Sequence, residues 1–120
     1  MRSLLLVAHG SRRKASNEEV QSLAATLAEL GGLRFDRVDC AFLEIAEPSI
    51  SHAFDEAVRG GADEVVVLPY FLSAGRHVAE DIPAEVERKS REYPQVRVRL
   101  APYLGQSEDL PRILLSLSDP

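Results

Sequence analysis

Two histidines stand just beyond apolar runs of strand length. His9 closes Leu4-Leu5-Leu6-Val7-Ala8 and is followed by Gly10-Ser11. His77 lies past the run Val65–Leu68, inside the block from Pro69 to Pro83, between a glycine-containing loop and a helix start marked by Asp81 and Pro83. An imidazole is a common metal ligand and also a general base that titrates near neutrality. Either histidine alone could simply bond to backbone carbonyls. Two of them at the exits of two buried strands can converge on one crevice, and that pairing favours a divalent metal or acid–base work. Glu44, in Phe42-Leu43-Glu44, ends a third run and reaches the same edge. It could instead be a carboxylate near the start of the next helix, a duty for which Glu47 is better placed. A carboxylate beside two neutral imidazoles makes a mixed nitrogen and oxygen donor set suited to Co²⁺, Ni²⁺, Fe²⁺ or Zn²⁺, and spacing does not separate these ions.

Arg12, Arg13, Lys14 and Arg76 flank the two histidines in an otherwise acidic chain. Such a run is ordinarily a solvated face, yet positive charge at a crevice can also receive an anionic ligand. Gly10-Ser11 could form an anion-binding turn, a far weaker signal than a glycine-rich phosphate fingerprint. His52, within a helical pattern, reads as a surface or groove residue, and Cys40, inside a strand, as a buried packing residue.

The elements that must position these side chains alternate along the chain. Leu4–Ala8 is a strand; Val20, Leu23, Ala24, Leu27, Ala28 and Leu30 then recur at helical spacing up to Gly31-Gly32. Arg34–Leu43 reads as a second strand, and Pro48 opens a helix with Ile50, Ala53, Phe54, Ala57 and Val58 on one face, ended by Gly60-Gly61. Glu64–Tyr70 is the third strand, Asp81–Tyr93 the third helix, Val96–Ala101 the fourth strand and Ser107–Leu117 the last helix. Strand and helix in strict alternation predict an α/β three-layer fold with a parallel sheet covered on both faces. Right-handed crossovers make the flavodoxin-like order 2-1-3-4 the expected arrangement. Ligands in such folds bind beyond the carboxyl ends of the strands, at the switch point between strands one and three, where His9 and the loop carrying His77 both lie.

A chain of 120 residues with 45% apolar content fits one domain over 1–120. Its net charge of −5 argues against nucleic acid. No apolar run approaches the roughly 20 residues of a membrane span. The apolar start is too short for a signal peptide, and Arg12-Arg13-Lys14 follows where a small-residue cleavage site would stand. A single cysteine fits a reducing compartment, so a cytoplasmic location is expected.

At Leu5–Arg12, at Phe42-Leu43-Glu44 with Pro48, across Pro69–Pro83 and at Pro102-Tyr103-Leu104-Gly105, the chain resembles the short-form sirohydrochlorin cobaltochelatases, small members of the class II chelatases. The resemblance runs through essentially the whole chain. It implies a lyase in which His9 and His77 are the catalytic, metal-handling residues, with Glu44 as a further ligand or base. Inserting a metal into a tetrapyrrole means stripping water from the ion and removing two pyrrole protons; neutral imidazoles can hold the ion and accept protons. Sirohydrochlorin is a polycarboxylate, so Ser11, Arg12, Arg13, Lys14 or Arg76 would orient it, and Phe71, Leu72 and Ala74 would offer an apolar surface to the ring. The metal, Co²⁺ or else Fe²⁺ or Ni²⁺, is then a substrate, with no permanently bound cofactor, and the product enters cobalamin or sirohaem synthesis. Larger relatives contain two similar α/β halves facing one another across the cleft; this chain supplies one, which implies a homodimer touching through Tyr70–Ala74 or the final helix Leu110–Leu117. Two other readings stay open: a non-catalytic metal or tetrapyrrole carrier, and a flavodoxin-like module binding a phosphorylated ligand at Gly10-Ser11.

If histidines hold the metal, protons compete with it for the same nitrogens, so metal insertion should fall on acidification. A pH–rate profile that stays flat down to about pH 5 would remove histidine from the ligand and base roles.

Overall fold

In the computed structural model, which describes residues 1–32 and 34–119, the chain forms four parallel strands in the order β2-β1-β3-β4. These are β1 (Arg2–Ala8), β2 (Arg37–Phe42), β3 (Glu64–Pro69) and β4 (Arg97–Leu100). The order agrees with the sequence expectation. β1 lies at the centre, and Leu5, Leu6 and Val7 are buried on its two faces, as a strand covered on both sides must be. It pairs with β2 from Ser3↔Arg37 to Ala8↔Phe42 and with β3 from Arg2↔Glu64 to Val7↔Pro69.

One face carries the main core. Leu5, Val7, Ala41, Val65 and Val67 pack against α2 (Ile50–Arg59) and α3 (Ile82–Glu92), which contribute Ile50, Ala53, Phe54, Ala57 and Ile82. Each large aliphatic or aromatic side chain buried here contributes about 1.5–3 kcal/mol of hydrophobic stabilisation. The helix expected to open at Pro48 starts after Ser49, whose hydroxyl accepts the His52 N–H at 3.1 Å. Pro48 stays outside the helix, its carbonyl accepting the Phe42 N–H at 2.9 Å.

The opposite face is covered by α1 (Lys14–Leu30), which ends at Gly31 as the glycine pair predicts. The second strand is shorter than expected. The Arg34 and Phe35 N–H groups turn back to the Gly31 carbonyl at 2.8 and 2.9 Å, and Asp36 is held by Arg2, so pairing begins at Arg37. Cys40 is half-buried rather than buried, because β2 is an edge strand; burial still pushes its thiol pKa up. The last helix, α4 (Leu110–Ser118), departs most from expectation. It begins three residues late and has no buried residue, so the sheet's second face is covered by α1 without it. No helix among the described residues is long and apolar enough to cross a membrane.

One charged side chain is buried within the α2–α3 layer. Lys89, 3% exposed, donates to Asp55 at 2.7 Å and to Glu92 at 2.9 Å, while the Tyr93 hydroxyl donates to Asp55 at 2.7 Å. Burial works against both charges, but the hydrogen bonds outweigh it, so Asp55 is held below its ordinary pKa and Lys89 above. A depressed carboxyl stabilises the fold above its unfolded pKa and loses that contribution as pH falls through the folded value. Asp55→Asn should therefore cost about 1–3 kcal/mol at neutral pH by leaving Lys89 short of a partner, and should lessen the loss of stability in acid. Denaturant unfolding at several pH values checks both; an unchanged midpoint at neutral pH would contradict the network's role.

Candidate metal centre

β1 delivers His9 and then must turn. Gly10 makes that turn at φ +99°, and a Cβ built there would lie 1.9 Å from the Glu44 carbonyl oxygen. Only glycine admits this approach. It lets the β1–β2 ladder run past both strand ends: the Leu43 N–H donates to Ala8 O at 3.0 Å and the Glu44 N–H to His9 O at 3.1 Å. His9 and Glu44 are thereby neighbours, with His9 Nε2 2.8 Å from Glu44 Oε2. The chain then reverses about Ile45 at φ +71°, closed by the Ala46 N–H to Glu44 O at 2.7 Å. A β-branched residue in the left-handed region is strained by about 1–3 kcal/mol, so the turn that ends the ladder at Glu44 is held against its own preference.

His77 arrives from β3. It was expected in a loop, but it opens a wide helical turn, His77–Asp81, in which the Ile82 N–H donates to the His77 carbonyl five residues back, leading directly into α3. Turns of this kind recur at functional sites. The spacing puts His77 and Asp81 on one face, with Nδ1 2.7 Å from Asp81 Oδ2. That bond engages Nδ1 and leaves Nε2 free. Asp81 was read from the sequence only as a marker of the helix start; the i,i+4 His–Asp spacing is the signal that points to its contact with His77.

The rings of His9 and His77 are 4.8 Å apart between centroids, and ligand atoms of His9, Glu44 and His77 all lie within 4.8 Å of one another. Two imidazoles and a carboxylate offer three donors to a first-row divalent ion. Their side chains are 46%, 54% and 41% exposed, so the remaining coordination positions face solvent. A cleft of about 230 Å³ runs alongside, bounded by Leu43, Glu44, Ser49, His77, Asp81 and Glu85.

The other candidates are more dispersed. Arg12 and Arg13 are exposed at the start of α1, and Arg76 is 81% exposed, 3.5 Å from Glu80. None of the three lines the cleft. The Ser11 hydroxyl accepts the Arg13 N–H at 3.0 Å, and Asn17 brackets Ser11 with two bonds of 2.9 and 2.8 Å, so this turn is tied to the protein itself. Phe71 is half-buried and packs against the core, whereas Leu72 is 70% exposed. Lys14 has become the first residue of α1, and Ala74 is exposed. His52, exposed on α2, is 3.9 Å from Glu56 and apart from the centre, as expected.

Comparison with known proteins connects this geometry to a family. The CbiX family model matches residues 3–119. The sirohydrochlorin cobaltochelatase of Sulfurisphaera tokodaii is 35% identical over 114 residues, covering 95% of this chain and 88% of that one. The cobaltochelatase of Methanopyrus kandleri is 39% identical over 69% of this chain and 57% of its own length. The sirohydrochlorin ferrochelatase of Bacillus subtilis is 33% identical over 90% of this chain but only 41% of its own. The chain thus spans about half the length of several relatives. Among solved structures, a CbiX protein from Marinobacter aquaeolei VT8 matches with TM-score 0.75 and 34% identity over 99% of this chain and 92% of that one. The sirohydrochlorin chelatase SirB from Bacillus subtilis subspecies spizizenii, in complex with cobalt, matches with TM-score 0.84 and 28% identity over 98% of this chain and 50% of its own.

Substitutions should separate support from ligation. His9→Ala and His77→Ala remove partly exposed side chains and should shift unfolding by less than about 1 kcal/mol while weakening Co²⁺ binding in calorimetric titration. Gly10→Ala should cost about 1–3 kcal/mol of stability and weaken Co²⁺ binding as well, because its Cβ meets the Glu44 backbone oxygen with no side chain to yield and displaces Glu44 from His9. Tight Co²⁺ binding by the double histidine variant would contradict the assignment of the donors.

Proposed function

Because this chain belongs to the CbiX family, we propose that it is a sirohydrochlorin chelatase that inserts a divalent metal, Co²⁺ in the first instance and Fe²⁺ or Ni²⁺ in the alternative, into the tetrapyrrole. The observation that carries the reading is the solvent-facing convergence of His9, Glu44 and His77. The metal is a substrate here, and a centre that must release it should be open and incompletely coordinating, unlike the closed four-ligand sites that hold structural zinc.

The roles divide as follows. His9 Nε2 and Glu44 Oε2, 2.8 Å apart, are the two donors from the β1–β2 side, and an entering ion takes the place of their mutual contact. His77, oriented through Nδ1 by Asp81, offers Nε2 as a ligand. As the dication enters the macrocycle, two pyrrole protons leave, so charge balances; Glu44 and the His9 imidazole, freed of the ion, each accept one and pass it to water. Arg12, Arg13 and Arg76, with the amino end of α1, which has no acid in its first turn, supply positive charge for the substrate's carboxylates. Leu72 offers the exposed apolar contact.

A planar macrocycle needs two walls, and this chain, acting as one domain, provides one. We therefore read the working form as a homodimer in the cytoplasm, where a lone thiol stays reduced. Relatives about twice this chain's aligned span support the need for a second wall. The carrier reading shares the donor set and differs in turnover.

Incubation with sirohydrochlorin and each metal separates the two. Catalytic loss of the free-base absorption spectrum is expected, with His9→Ala/His77→Ala slowed at least about 100-fold and Glu44→Gln slowed less. Uptake limited to one metal per chain, or a double variant at near wild-type rate, would end the chelatase reading. Light scattering should give twice the 13.2 kDa chain mass.

A further inference from the structure

β3 reaches His77 through a loop, residues 70–76, that is exposed from Leu72 onward. Both ends of the loop are tied. The Tyr70 N–H donates to Val7 O at 2.7 Å, and the Ala79 N–H donates to Gly75 O at 2.9 Å. Between those ends, among the described residues, one backbone hydrogen bond holds the chain, from the Gly105 N–H to Phe71 O at 2.9 Å. Gly105 does more than donate. It lies so close to Leu72 that a Cβ there would stand 1.8 Å from the Leu72 carbonyl oxygen and 2.5 Å from its carbon. The Gly105 backbone is outside the left-handed region, so the close approach, not the turn, is what requires glycine. The segment carrying Gly105 is the stiffer partner. The Ala101 N–H prolongs the ladder to Val67 O at 2.8 Å. The short turn Leu104–Gln106 is closed by bonds of 2.9 and 3.0 Å, from the Gln106 N–H to Tyr103 O and from the Ser107 N–H to Leu104 O.

We propose that Gly105 is a positioning residue for the tetrapyrrole: it sets the place of Leu72, the exposed apolar contact, and leaves the metal donors alone. Sirohydrochlorin as the ring that Leu72 meets is taken from the chelatase reading; the tether is not. Leu72 is 70% exposed, so packing within the chain does not fix its side chain, and its place is the one its backbone gives it. Phe71 packs against the core and so anchors the acceptor end of the tether. His77 takes its place from bonds beyond the loop, through the Ile82 N–H to its own carbonyl and through Asp81 at 2.7 Å from Nδ1. Between Leu72 and His77 lies Gly75, around which a Cβ would meet nothing within 4 Å. A shift at Leu72 is absorbed there before it reaches the imidazole. Ring seating and metal ligation therefore have separate supports, and one substitution should weaken the first without the second.

Gly105→Ala tests this, because the added methyl must open the gap by about 1 Å and the singly tethered loop is the side that yields. Metal-free sirohydrochlorin is titrated by its absorption, and Co²⁺ binding is measured separately by calorimetry. The dissociation constant for sirohydrochlorin should rise at least ~10-fold while that for Co²⁺ stays within about twofold. Under turnover with saturating Co²⁺, KM for sirohydrochlorin should rise alike and kcat stay within about threefold. Leu72→Ala should weaken ring binding too, and Gly105→Ala/Leu72→Ala should bind no worse than the worse single variant, since both act on one contact. In the wild-type chain, hydrogen exchange of the Gly105 amide should slow at least ~5-fold when sirohydrochlorin binds and not when Co²⁺ alone does.

Unchanged sirohydrochlorin affinity in Gly105→Ala would overturn the proposal and leave the chelatase reading standing. Single effects that multiply in the double variant would overturn it, as would a Co²⁺ affinity that falls as far as the ring's. A Gly105→Ala chain that scatters at half the wild-type mass would place Leu72 in a subunit contact and overturn it too. If Gly105→Ala does not fold, exchange in the wild-type chain decides, and no slowing with sirohydrochlorin overturns the tether. A wild-type chain that binds sirohydrochlorin without turnover would end the chelatase reading, while the loss of ring affinity in Gly105→Ala would still uphold the tether.

Discussion

Everything at the centre depends on the backbone bond from the Glu44 N–H to the His9 carbonyl, 3.1 Å long, one step beyond the last residues of β1 and β2. Parallel strands bring side chains to one edge but do not ensure that loop residues stay in register there. This bond, with the one before it from Leu43 to Ala8, prolongs the ladder until a histidine and a glutamate stand side by side. It forms only because Gly10 clears the Glu44 carbonyl, and it ends because Ile45 is forced into a left-handed turn. The carboxylate–imidazole contact is thus fixed by main-chain geometry, at little entropic cost to the side chains themselves.

His77 is held by a different device. Its backbone is set by the β3 exit and the wide turn into α3, and its ring by Asp81 four residues on. The two imidazoles therefore have independent supports on either side of the β1–β3 switch point. The cost of the open arrangement is that hydrophobic burial does nothing for the donors. The stability of the domain comes from the α2–α3 layer beneath, including the Lys89–Asp55–Tyr93 network, and not from the site.

The strand order and the convergence of His9, Glu44 and His77 were legible because they follow from rules with few exceptions: continuous apolar runs make buried parallel strands, crossovers are right-handed, and residues after such strands share an edge. Other features were not legible, for physical reasons. Lys14 begins α1 because Asn17 and Ser11 organise the preceding turn, a contact that apolar periodicity does not register. Phe71, which the resemblance offers as an apolar surface, lies half-buried against the core, since a sequence does not say which way a loop aromatic turns. Asp81 was hidden because a carboxylate near a helix start reads first as a capping or dipole residue, and only the ring of His77 gives it another partner.

The same reasoning applies to α4. Its apolar stripe is a sound signal for burial, and a stripe predicts that a surface exists to receive it without saying that the surface belongs to the same chain. Here the strand before it is short, four exposed or half-buried residues from Arg97 to Leu100, and two of them are arginines on the face α4 would have to cover. Laying leucines on those guanidinium groups within one chain would desolvate charge with few partners in reach. The composition of β4 thus argues against the intramolecular packing that the alternating pattern alone suggests, and the exposed leucines of α4 are the remainder of that conflict.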